Sequence, residues 1–142
     1  MSVTGLRSLD RSVIETIEWL KEVKQELLYE DEQDAYQGIR AVLHALRDRL
    51  DVQQAAKLAA QMPMVLSGLF YEGWNPAGKP EKIRSAEEFR SRVAGDLPGD
   101  KKDEAGLIIK AVFNTMEGRI SSGEMEDIKS NLPDNFEEFF EV

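Results

Sequence analysis

An all-α protein is predicted by three features of this 142-residue sequence. Apolar residues recur at spacings of three and four, the period that gathers them on one face of a helix. No segment alternates β-branched and polar residues between turn dipeptides, as a half-buried strand does. The sequence also agrees with itself at an offset of 70, without a gap. Ile39-Arg40-Ala41-Val42-Leu43 falls on Ile109-Lys110-Ala111-Val112-Phe113, and Leu46 falls on Met116. Arg49 meets Arg119, Pro63 meets Pro133, and Phe70 meets Phe140. The expected architecture is one all-α domain over 1–142, a helical bundle of two tandem repeats, 1–70 and 71–142, with about four helices each.

The first helix of each unit follows from Trp19, Val23 and Leu27, and from Ala86, Phe89, Val93 and Leu97. The second follows from Ala35, Ile39, Val42, Leu43 and Leu46, and from Ala105, Ile109, Val112, Phe113 and Met116. The third opens on Asp51-Val52-Gln53-Gln54 and on Ser121-Ser122-Gly123-Glu124. Both have the spacing of a capping box, in which the cap oxygen takes a free helix amide and the later side chain reaches back. That helix buries Ala55, Leu58 and Met62, or Met125, Ile128 and Leu132, and ends at Pro63 or Pro133. A short fourth helix turns Leu66, Leu69 and Phe70, or Phe136, Phe139 and Phe140, inward. Gly and Pro concentrate at 73–80 and 95–99, which are the expected loops.

Composition excludes several classes. There is no cysteine, so disulfides, thiolate nucleophiles and cysteine zinc sites are ruled out. The N-terminus lacks a signal-peptide core, and nothing approaches the roughly 20 apolar residues of a membrane span. A cytoplasmic protein with no membrane association is expected. The net charge is −9, and residues 117–142 alone hold 8 acidic and 2 basic groups. Such a surface repels a phosphate backbone, so helix-turn-helix nucleic-acid binding is disfavoured. The mildly basic stretch from Lys79 to Arg92 reads as a solvated helix face, with a small anion site as the alternative.

No catalytic, metal or cofactor site is assigned. His44, the sole histidine, has no Ser or Cys motif around it and reads as structural, with Asn114 as its counterpart. Arg49 and Arg119 read as an ion pair or carbonyl clamp near helix ends. The clusters Asp31, Glu32, Asp34 and Asp100, Asp103, Glu104 lack the spacing of an EF-hand loop, and Glu137, Glu138 and Glu141 form an acidic end. No Glu-x-x-His pair, phosphate loop or nucleophile elbow occurs.

Two features stand apart from the repeat. Ile14, Ile17 and Leu20 widen the apolar face of the first helix, where the second unit has Arg84, Glu87 and Arg90. They serve either to pack between the halves or to bind a partner or second subunit. The segment Tyr71-Glu72-Gly73-Trp74-Asn75-Pro76-Ala77-Gly78-Lys79-Pro80 is either a hydrophobic plug between units or a rigid binding loop.

Those residues also carry a resemblance. Leu43-His44-Ala45-Leu46-Arg47-Asp48-Arg49-Leu50, then Ala59-Ala60-Gln61-Met62-Pro63, then Gly68-Leu69-Phe70 running through Tyr71–Lys82, occur in order. Together with Gly123-Glu124-Met125 and Asn131-Leu132-Pro133 they resemble the bacterial domain-of-unknown-function 2267 family over nearly the whole chain. Ser67 stands where many members would have an arginine. The resemblance implies a small helical prokaryotic protein and brings no activity, cofactor or catalytic residue with it.

The leading expectation is a non-enzymatic interaction or adaptor module. It would engage a protein partner or a second copy through Ile14, Ile17 and Leu20 or through Tyr71 and Trp74. The alternative is a ligand binder or enzyme with a pocket between the units near Tyr71, Trp74, Lys79 and His44.

Overall fold

A computed structural model describes residues 3–140. Among the described residues the chain is all-helical, with seven α-helices, two 3-10 helices and no strand. The α-helices are α1 (Arg7–Leu27), α2 (Glu32–Arg49), α3 (Val52–Ala59), α4 (Met64–Tyr71), α5 (Ala86–Gly95), α6 (Ala105–Arg119) and α7 (Ser122–Ser130). The 3-10 helices are Gly99–Glu104 and Asp134–Phe139. None of these helices is long and apolar enough to cross a membrane. Glu141 lies outside the described residues.

α2 is the hub. It packs against α1, α4, α5 and α6, and Ile39, Val42, Leu43 and Leu46 are all fully buried. Gly38 sets how closely α2 and α6 approach. A Cβ built there would lie 2.9 Å from Ile108 Cγ2, inside van der Waals contact. In the second half, Phe89, Phe113, Phe136 and Phe139 pack with ring centroids 4.9–6.0 Å apart. The last helix, Asp134–Phe139, is a 3-10 helix whose Phe136 and Phe139 close this core.

Local chemistry explains the helix ends. Asp51 caps α3 through the Gln54 amide at 2.8 Å, and Gln54 Oε1 accepts from the Asp51 amide, completing the box. The expected second box is only half formed. Ser121 Oγ caps the Glu124 amide, but the Ser121 amide donates to Gln61 Oε1 at 2.8 Å. Gln61, reaching across from the end of α3, has displaced the Glu124 side chain. Glu124 is left with one buried carboxylate oxygen lacking a partner, and burial raises its pKa, helped by Asp127 and opposed by Lys57. Asp31, read as part of an acidic cluster, caps α2 through the Gln33 amide. Asp34 and Glu104 both flank Lys101, which lies over the Tyr29 ring. The Tyr29 hydroxyl donates to Glu104.

α1 ends in an unusual residue. Leu28 adopts the left-handed conformation at φ 58, a position glycine normally fills. The amides of Leu28 and Tyr29 close the turn onto the carbonyls of Gln25 and Lys24. The Leu28 side chain is 86% exposed, so no burial within the chain offsets the backbone strain.

Gly38→Ala is expected to lower unfolding stability by about 1 kcal/mol, because the clash with Ile108 outweighs alanine's better helix propensity. The same change in an Ile108→Ala background is expected to stabilise, since the obstructing methyl is gone. Denaturant melts of the four proteins measure both signs.

Candidate functional site

Two structural features gather the residues singled out above: an apolar groove beside α1 and a charged clamp beside α2. The groove forms because α1 has more apolar surface than one core face can bury. Its inner face places Ser12, Thr16, Trp19 and Val23 in the interior. Val13, Ile17 and Leu20 lie on the flank, where they meet Val65 and Leu69 of α4 around a cavity of ≈ 500 Å³. Ser12 Oγ accepts from the Val65 amide at 2.8 Å, and this bond fixes the start of α4 against α1. The floor is open at Gly68, where an added Cβ would meet nothing within 4 Å. Glu72, paired with Arg40 at 2.9 Å, stands at one end.

Ile14 is 48% exposed and Ile17 39% exposed, while Leu20 is half-buried. Packing between the two halves is therefore not the role of Ile14 and Ile17. α1 meets α6 through its other faces, where Arg119 pairs with Glu18 and Glu22. Val65 and Leu69 of the α4 wall were not assigned to this face from sequence. Their i, i+4 spacing is the signal, for it makes a second apolar stripe beside Leu66 and Phe70.

The clamp occupies the C-terminal end of α2. Arg47 and Asp48 are both almost fully buried. Arg47 donates to the Asp48 carboxylate at 3.0 Å and to the carbonyls of Phe70 and Glu72. Asp48 also receives Arg92 of α5 and faces Lys79 at 3.7 Å. Lys79 pairs with Glu81 at 2.9 Å, and the Glu81 amide donates to the Asp48 carbonyl. Arg49 donates to the Ile83 carbonyl at 2.8 Å, the carbonyl clamp expected of it. Every buried charge of the clamp thus has partners, which keeps its removal from water tolerable. The stretch from Lys79 to Arg92 is consequently only in part a solvated helix face: Lys82, Arg84, Glu87 and Glu88 are exposed, while Lys79 and Arg92 are held by Asp48. Lys79 is buried in an extended linker, and α5 begins only at Ala86.

Tyr71 packs on Phe70 and Trp74, with ring centroids 5.2 and 5.1 Å apart. Both Tyr71 and Trp74 are half-buried, and Trp74 Nε1 is buried without an acceptor. His44 is 5% exposed, and its Nε2 donates to the Leu69 carbonyl at 2.8 Å. Burial lowers its pKa, and Arg47 and Arg40 push the same way against the Leu69 carbonyl and Glu72. His44 and Lys79 are both engaged by internal partners. Asn114, the counterpart of His44, donates to Glu26. Among the described residues, no group of three or more His, Asp or Glu is placed to hold a metal ion.

Residues 16–139 match the model of a family described as an uncharacterized conserved protein, DUF2267. The chain belongs to this family. No curated protein matches it. In this DUF2267 member, the matched span contains the whole clamp and, on the α1 flank, Ile17 and Leu20. Ile14 lies just before it.

Asp48→Asn leaves Arg47, Lys79 and Arg92 around an uncharged amide, and a stability loss of about 3 kcal/mol is expected in denaturant unfolding. His44 titrates at lower pH folded than unfolded, so the unfolded chain binds the extra proton. Its contribution to stability is full above about 6.5 and is lost as pH falls from there through the folded value. Melting temperatures of wild type and His44→Gln between pH 8 and 5 should show a steeper acid-side decline for wild type.

Proposed function

We propose that this DUF2267 member is a non-enzymatic interaction module that engages a protein through the α1–α4 groove. The observation that carries the reading is the exposure of Ile14 and Ile17 next to an open apolar groove walled by Val65 and Leu69. Apolar side chains left in water beside an unfilled groove gain free energy when a complementary surface covers them. The net charge of −9 supports a protein partner over a nucleic acid.

We also propose that the chain is a duplicated helical unit with a period of 70. In support, α3 and α7 open at Val52 and Ser122, each behind a capping side chain. Pro63 and Pro133 stand at equivalent starts of α4 and of the last 3-10 helix. Ile39, Val42 and Leu46 are buried, as are Ile109, Val112 and Met116. In this scheme, the extra apolar residues of α1 are a departure of one copy from the other, acquired for binding.

Ile17→Asp places a charge in the groove without touching the core. It is expected to keep the wild-type helical content by circular dichroism and to lose at least tenfold in binding. Binding is read by affinity capture from a lysate and by light scattering for self-association. Equal capture by both proteins, or a wild type that is monomeric and captures nothing, would overturn the reading.

A further inference from the structure

We infer that the occupant of the α1 face is a second copy of this chain, with the two α1 helices packed antiparallel. This rests on the interaction reading above and names its partner. The outward stripe of α1 reads Asp10, Ile14, Ile17, Lys21. At about 100° per residue, these four fall within an arc of about 60°. Their order is self-complementary when reversed, because each is balanced about the point midway between residues 15 and 16. A twofold axis at that point sets Ile14 against Ile17 of the second copy and Asp10 against Lys21 of the second copy. It does both twice, as an isologous interface requires.

The flank of the same helix agrees. Arg7 and Arg11 lie on one side of the stripe in its N-terminal half, and Glu18 and Glu22 lie on that side in its C-terminal half. Reversal brings Arg11 near Glu18 of the second copy and Arg7 near Glu22 of the second copy. A parallel pairing would instead set Asp10 against Asp10 and Lys21 against Lys21 along the stripe. The carboxylates of Glu18 and Glu22 already face Arg119, so each would bridge two cations. On the other flank, the α4 wall adds Val65, which is 45% exposed.

α1 is about 31 Å long and about 10 Å wide, and the 8 residues of α4 add a strip about 12 Å long beside it. The face covers on the order of 400 Å² per copy, the size of a weak, concentration-dependent contact.

The absence of cysteine makes the test clean. Sedimentation should give a mass of twice 16.1 kDa for wild type at tens of micromolar, and 16.1 kDa for Ile14→Asp. An oxidised equimolar mixture of Asp10→Cys and Lys21→Cys chains should form disulfide-linked dimer at least fivefold faster than either variant alone. The axis opposes positions 10 and 21, whereas two copies of either one lie about 16 Å apart along the helices, beyond disulfide reach. A wild type that stays monomeric at 100 micromolar overturns the proposal. If it nonetheless captures a protein that Ile17→Asp loses, the interaction reading survives with a different occupant. If it captures nothing, both fail. A dimer in which Asp10→Cys alone links as fast as the mixture overturns the antiparallel arrangement.

Discussion

Two adjacent side chains at the end of α2, Arg47 and Asp48, hold together parts of the chain that have little apolar surface with which to hold themselves. The segment from Glu72 to Ile83 has Gly73 and Gly78 in left-handed turns and two prolines, Pro76 and Pro80. It cannot bury a helix face. Its path is fixed instead by Arg47 on two carbonyls at its start, by Asp48 on Lys79, and by Arg49 on its last carbonyl. Arg92 brings α5 into the same network. Because the network is buried and each charge is paired, it is rigid where a surface ion pair would contribute little. The end of α4 is fixed by the same arginine, so the groove beside α1 depends on a contact well away from it.

Most helices were legible because burial selects a period. α2 and α6 bury Ile39, Val42, Leu46 and Ile109, Val112, Met116, the spacing from which they were read. Caps were legible where the interaction is local, as at Asp51 and Gln54. They were not legible where a distant group competes. Glu124 has the right spacing for a reciprocal cap, yet the amide it would take is engaged by Gln61, 60 residues away in sequence. Lys79 fails for the same reason. A lysine in a Gly- and Pro-rich stretch reads as solvated, and only the fold reveals Asp48 waiting beneath it. The last helix was legible from its phenylalanines, since Asp134–Phe139 turns Phe136 and Phe139 into one aromatic cluster; its tighter 3-10 winding was not.

The candidate site was half legible. Ile14 and Ile17 stood out because the aligned positions are Arg84 and Glu87, and an apolar residue that its counterpart does without is surplus to the core. What the sequence does not display is the other wall. Val65 and Leu69 show in the string only as a second apolar stripe beside Leu66 and Phe70, and the string does not tell that this stripe borders a groove. That placement depends on the Ser12 bond that fixes α4 against α1.

Arg47 grips Phe70 and Glu72 by their carbonyl oxygens, groups that every amino acid carries. Arg49 does the same at Ile83. The bonds at both ends of the linker are therefore indifferent to which side chains stand at those positions. Of the three, Glu72 is exposed, and substitutions there can alter what the surface displays while leaving the hydrogen-bonding atom in place. The scaffold thus separates the job of holding its shape from the job of presenting a surface, and lineages can diversify the second without eroding the first.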